Sequence, residues 1–186
     1  MTSAGAGAQR LKRVIRDVPD FPKRGIVFKD ITTLLRDPSC FSESIERLSV
    51  GWRATGARRS GGVDVVVAVE ARGFIFGSAV AQRLGVGFVP VRKPGKLPWR
   101  THRQSYQLEY GTDALEIHRD AIRRGQRVLI VDDVLATGGT IGATVRLVRR
   151  LGGRIVAAAF LIELAFLGGR RRLQRQRCPI YSVIQY

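Results

Sequence analysis

The stretch Val128-Leu129-Ile130-Val131-Asp132-Asp133-Val134-Leu135-Ala136-Thr137-Gly138-Gly139-Thr140 constrains this chain more than any other. Four branched apolar residues in a row, bounded by polar ones, read as a short buried strand. Two carboxylates end it, and a loop of small residues follows. From Gly139 the spacing of Ile141, Val145, Leu147, Val148 and Leu151 predicts a helix, stopped by Gly152-Gly153. Strand, glycine loop and helix start together make an anion site, because the loop's free N–H groups and the helix N-terminus point at one place. The loop has no Lys for a Walker A cradle, and Thr137 stands where a dinucleotide fingerprint needs its first Gly. Two acids just ahead of the loop can accept hydrogen bonds from vicinal hydroxyls. A diol at the acids and a phosphate at the loop describe a ribose 5-phosphate.

The remainder alternates strands with helices. Leu11 to Val18 reads as a short helix ended by Pro19 and Pro22, and Phe21 to Ile31 as a loop around Gly25. Asp37-Pro38 opens a helix running to about Ala54. Val63 to Val69 is a second buried strand ending in Glu70-Ala71-Arg72-Gly73; a helix from Phe74 to Leu84 stops at Gly85, and Val86 to Arg92 is the next strand. Lys93 to Gln104 is long, basic and aperiodic, which suggests a lid loop. Tyr106 to Ile117 reads as a hairpin turning near Gly111-Thr112-Asp113. Ile155 to Ile162 is another buried strand and Pro179 to Ile184 an edge strand. The expected fold is α/β, a mainly parallel sheet flanked by helices, with Glu70 to Gly73 and Asp132 to Thr140 sharing one crevice at the strands' C-terminal ends.

Residues 1–9 are small and polar and are expected to be flexible, leaving 10–186 as a single domain. No secretory leader and no membrane span of roughly 18 apolar residues is visible. Cys40 and Cys178 lack metal spacing, and a reducing cytoplasm is the expected setting. With 32 basic against 15 acidic residues the formal charge is +17. That field attracts polyanions, yet no helix-turn-helix, RNA-binding or zinc-finger pattern accompanies it, so specific nucleic-acid recognition is not expected. The Arg170-Arg171-Arg172, Arg175, Arg177 cluster has no function legible in sequence.

The acid pair and the A-T-G-G-T loop resemble the phosphoribosyltransferase signature. Phe21 to Ile31, Glu70 to Gly77, Pro90 to Pro98, Tyr106 to Gly111 and Ser182 to Tyr186 extend the resemblance to the adenine phosphoribosyltransferase family, over nearly the whole chain. The resemblance implies a type I phosphoribosyltransferase fold with a small hood and a β-hairpin lid. It implies a cytoplasmic homodimer in purine salvage that transfers phosphoribosyl from 5-phosphoribosyl 1-pyrophosphate (PRPP) to adenine, giving AMP and pyrophosphate. Asp132 and Asp133 would hold the ribose hydroxyls. Ala136, Thr137, Gly138, Gly139 and Thr140 would hold the 5-phosphate. Arg72, Lys93 and Lys96 would face pyrophosphate, with Arg92 or Lys93 reaching a partner subunit's site. Magnesium would be carried by PRPP, with no protein ligand of its own. Enzymes for 6-oxopurines carry an Asp where Ala136 stands, so the base proton needs another acid, and Glu109 fits that catalytic place. Phe28 would stack on the adenine, whose edge backbone groups of Val27 and Lys29 would read. Two other readings stand beside this one: a PRPP-binding regulator of transcription, and an enzyme for another base such as xanthine or orotate.

Overall fold

The computed structural model describes residues 3–52, 62–107 and 111–186. The chain divides into two compact units, Met1–Arg47 and Leu48–Tyr186.

In the first unit, α1 spans Ser3–Val14, β1 Arg16–Pro19, β2 Val27–Asp30, α2 Thr32–Arg36 and α3 Pro38–Ser49. The helix expected over Leu11 to Val18 therefore begins earlier and ends at Val14. Arg16 to Val18 leave it because their backbone pairs antiparallel with β2, Arg16 opposite Asp30 and Val18 opposite Phe28. Helix α1 also takes in much of the 1–9 stretch. The loop expected around Gly25 keeps its glycine turn at φ +86° but ends in β2. Asp37 opens α3: its carboxylate accepts the N–H groups of Ser39 and Cys40 at 2.9 and 3.0 Å, which satisfies donors a helix start leaves unpaired. These contacts, that of Cys40 first, hold Asp37 below the usual carboxylate range.

The second unit is built on a five-stranded sheet of β3 Val65–Val69, β4 Gly87–Val91, β7 Arg127–Leu135, β8 Arg154–Glu163 and β9 Ile180–Gln185, in the order β4-β3-β7-β8-β9. All its pairings are parallel. Parallel strands are covered on both faces, which explains the unbroken Val, Ile and Ala runs. Alternate residues go to opposite faces. Val65, Val67 and Val69 join Val128 and Ile130 in a core with Val145 and Val148 of α5, which spans Gly139–Arg150. On the other face, Gly77 of α4 (Arg72–Leu84) packs so close that a Cβ would lie 2.5 Å from that of Ala68. Helix α4 starts at Arg72, two residues before the expected Phe74, and ends at Gly85 in the left-handed conformation, φ +68°.

The hairpin is longer than its sequence pattern suggests. Strand β5 spans Thr101–Gln107 and β6 Thr112–His118, with Gln107 opposite Thr112. A third of the expected lid loop, Thr101 to Gln104, is thus strand, and Thr112, expected in the turn, opens β6. Leu115 and Ile117 are buried in the same core as the sheet, which fixes the hairpin's register. Helix α6, Gly169–Arg175, follows β8.

Candidate active site

The C-terminal ends of β3 and β7 open into a cleft of about 380 Å³, lined by Glu70, Arg72, Asp132, Asp133 and the loop from Ala136 to Ile141. The two stretches expected to share a crevice do so. Strand β7 runs on through both acids to Leu135 because Val134 and Leu135 keep their pairing with Ile162 and Glu163 of β8. The acids therefore sit on rigid strand, not on a turn. Asp132 Oδ1 accepts the Asp133 N–H at 2.9 Å. A Cβ at Gly73 would lie 2.6 Å from that oxygen, so the absent side chain makes room for the carboxylate. Arg72 Nε lies 2.9 Å from Asp133 Oδ2 as an ion pair, but the angle makes no hydrogen bond, and this buried oxygen has no donor among the described residues. Burial, then the Asp133 charge, pushes Asp132 well above the usual carboxylate range; burial raises Asp133 too, against the pull of Arg72. Two crowded carboxylates, one with an unfilled buried acceptor, suit a ligand that brings hydroxyl donors.

The loop is shaped for an anion. Gly138 caps α5 in the left-handed conformation, φ +74°, and no side chain caps the helix. The N–H groups of the first turn thus have no acceptor in the helix and open on the cleft. Behind the loop stands the start of α6. A Cβ at Gly138 would lie 3.0 Å from the Gly169 carbonyl, and one at Gly169 would collide with the Ala136 carbonyl. The approach is held by Glu163, which is 2% exposed. Its carboxylate accepts two hydrogen bonds from Arg170, one of 2.7 Å to Nε and a very short one to Nη2, and further bonds from Ser182 at 2.6 Å and Gln185 at 3.3 Å.

The expected pyrophosphate residues stand on one side. Arg72 pairs with Asp133 as described. Arg92 donates to Glu70 Oε2 at 3.1 and 2.9 Å and to the Lys96 carbonyl at 3.0 Å. The Lys93 N–H donates to Glu70 Oε1 at 2.5 Å, and its Nζ lies 3.3 Å from Asp113 Oδ2 on β6. Lys96 is exposed. Val27, Phe28 and Lys29 lie on β2 of the first unit, where Phe28 meets Phe21 edge-on at 5.2 Å. Glu109 lies outside the described residues. Gln107, two residues earlier in sequence, ends β5 with its carbonyl 3.3 Å from where a Cβ on Gly139 would stand, beside the Tyr106 ring. The hairpin is rooted on the glycine loop.

Tyr106, Glu163 and Arg170 are the residues that sequence reasoning left without a role. Tyr106 OH lies 3.5 Å from Thr140 Oγ1 and 3.4 Å from Asp113 Oδ2, joining loop to hairpin. A buried glutamate seven residues before an arginine carries no local signal. Only the Gly168-Gly169 pair ahead of the basic cluster marks a close approach.

A model of the phosphoribosyl transferase domain matches residues 43–183. The adenine phosphoribosyltransferase of Yersinia pseudotuberculosis is 56% identical over 187 residues, spanning 99% of this chain and 97% of that protein. The crystal structure of adenine phosphoribosyltransferase from Thermoanaerobacter pseudethanolicus superposes with a TM-score of 0.88 at 54% identity, covering 96% of this chain and 99% of that one. The Saccharomyces cerevisiae adenine phosphoribosyltransferase, solved with an imino-altritol bisphosphate and adenine, gives 0.88 at 39% identity over 96% and 99% of the two chains. The chain belongs to the phosphoribosyltransferase family and, within it, to the adenine phosphoribosyltransferases.

Proposed function

We propose that this protein transfers the 5-phosphoribosyl group of PRPP to adenine, forming AMP and releasing pyrophosphate in purine salvage. The observation that carries the reading is the cleft itself: an acid pair with an unfilled buried acceptor at one end and an uncapped glycine loop at the other. Adenine as the base is supported by the family and by the adenine bound in the yeast relative. The bond from the ribose anomeric carbon to pyrophosphate breaks, the bond to the adenine nitrogen forms, and the base gives up its proton. Asp132 and Asp133 hold the ribose hydroxyls, and their charge suits the oxocarbenium-like carbon between the departing and arriving groups. The loop from Ala136 to Thr140 fixes the 5-phosphate. Arg72, Lys93 and Lys96 meet the pyrophosphate, with Arg92 ordering the turn through Glu70 and the Lys96 carbonyl. On β2, Phe28 stacks on the adenine and the backbone of Val27 and Lys29 reads its edge.

The oxygen donors of the cleft fit magnesium arriving with PRPP and held largely by pyrophosphate oxygens and water. Bound there, it would neutralise charge on the leaving group. We also propose that 10–186 acts as one catalytic domain and that the enzyme is a cytoplasmic homodimer. Sedimentation at twice 20.6 kDa would support the dimer, and a monomer at working concentration would overturn it. Incubation with PRPP, magnesium and adenine, xanthine or orotate tests the reaction. AMP is expected from adenine and nucleotide from neither other base. No AMP would return the protein to the regulator or the other-base reading.

Glu109 is proposed as the group that manages the base proton. Ala136 leaves the loop without an acid of its own, and Gln107, two residues before Glu109 in sequence, lies against that loop. Acid–base groups contribute about a hundred- to ten-thousand-fold, so Glu109→Gln is expected to slow single-turnover AMP formation at least about tenfold with PRPP affinity nearly unchanged. A wild-type rate would assign the proton to water or backbone.

A further inference from the structure

The basic cluster of α6 reaches the phosphate loop. Arg170 ties the helix to Glu163, and Gly169 seats it against the Ala136 carbonyl. Two residues on, Arg172 is half-buried, and its Nη1 lies 3.6 Å from where a Cβ on Gly139 would stand. Gly139 is the first residue of α5 and a member of the loop. Within α5 itself, Arg146 brings Nη1 to within 3.9 Å of the Cβ position of Gly142, one turn earlier. Neither Arg146 nor Arg172 has an acidic partner among the described residues.

We infer that Arg172 is a further phosphate-binding residue of this site, holding the 5-phosphate dianion from the α6 side of the loop. The inference rests on reading the cleft as a ribose 5-phosphate site. Its physical basis is a charge left uncompensated. Burial, and then the nearby charge of Arg172, holds Arg146 below the usual guanidinium range. Two cations whose charges repel without a counter-ion weaken the empty protein, and a phosphate dianion beside Gly139 supplies the missing charge next to Arg172. A guanidinium suits the task, because its planar fork matches phosphate oxygens in pairs and it stays charged. Arg170 and the Gly168 carbonyl, which accepts the Arg172 N–H at 3.3 Å, fix the turn that carries it.

The test is calorimetric titration of the full chain with ribose 5-phosphate and, separately, with pyrophosphate, for wild type, Arg172→Gln and Arg172→Lys, beside thermal melts without ligand. Losing a charge-assisted hydrogen bond predicts that Arg172→Gln binds ribose 5-phosphate about tenfold or more weakly. Its pyrophosphate affinity should be unchanged, Arg172→Lys should recover most of the loss, and unliganded Arg172→Gln should melt at or above wild type because the repulsion with Arg146 is relieved. Equal ribose 5-phosphate affinity in wild type and Arg172→Gln overturns the inference. So does a variant that melts lower and loses both ligands together, since that marks a structural role. A folded wild type that binds no ribose 5-phosphate sinks the reading of the cleft itself, and the wild-type arm alone reveals that failure.

Discussion

Replacing either acid of the pair by its amide, Asp132→Asn or Asp133→Asn, is expected to lower kcat/KM by about ten- to two-hundred-fold, the range set by losing a charge-assisted hydrogen bond of roughly 1.5–3 kcal/mol. Folding stability should not fall with it. Burial raises the Asp132 pKa above its unfolded value. Such a group favours the folded state fully below the unfolded pKa, and that contribution is lost as pH rises through the raised folded value. The wild type therefore loses it as pH rises through that value, whereas an amide never titrates. Melting curves at pH 7 should place Asp132→Asn at or above wild type while steady-state kinetics collapse. Near-wild-type kinetics in both variants would reduce the segment to an ordinary strand end.

Arg170→Met is expected to have the largest effect on stability. Breaking a buried ion pair costs roughly 3–5 kcal/mol because the remaining charge stays buried. The Arg170 side chain is 35% exposed, so water screens part of this. A loss of about 2–3 kcal/mol, or roughly 4–12 °C in Tm, follows for a chain of this size. The hydrogen bonds from Arg170 hold Glu163 below the usual carboxylate range. The pair's contribution is therefore present above the unfolded carboxylate pKa and lost as pH falls through the depressed folded value. The gap between wild type and Arg170→Met should narrow as titration proceeds into the acid range. A gap that stays constant from neutral pH to about pH 3 would locate the effect in packing, not charge.

What was legible in the sequence follows from where the physics is local. Val65 to Val69, Val128 to Val131 and Ala157 to Ile162 are buried on both faces and carry β-branched or small apolar runs, so each announces itself. Gly85 and Gly152 mark turns because both take the left-handed conformation, φ +68° and +82°. The acid pair and its loop were legible because strand, turn and helix start lie within thirteen consecutive residues. Thr101 to Gln107 was not. Its residues are polar, only Tyr106 is buried, and its strand form comes from pairing with Thr112 to His118. Arg16 to Val18 left their expected helix for the same reason: a partner strand supplied what their own pattern did not. Glu163 was missed because its donors stand 7, 19 and 22 residues away, on two other elements, α6 and β9.

The strand order also sets a sequence of events in folding. Joining β3 to β7 closes a loop of 63 residues, sealed by the Asp64–Arg127 ion pair at 2.7 Å. Joining β7 to β8 closes only 27, counted from Arg127 to its partner Arg154. On the logarithmic loop-closure scale the first costs about 0.7 kcal/mol more, roughly a threefold difference in rate. Joining β3 to β4 closes 22 residues, from Val65 to Gly87, so on the same scale it forms about as readily as β7–β8, and the β3–β7 union that brings the two halves together is the later step. In a partly folded chain each wall of the cleft would exist before the cleft itself.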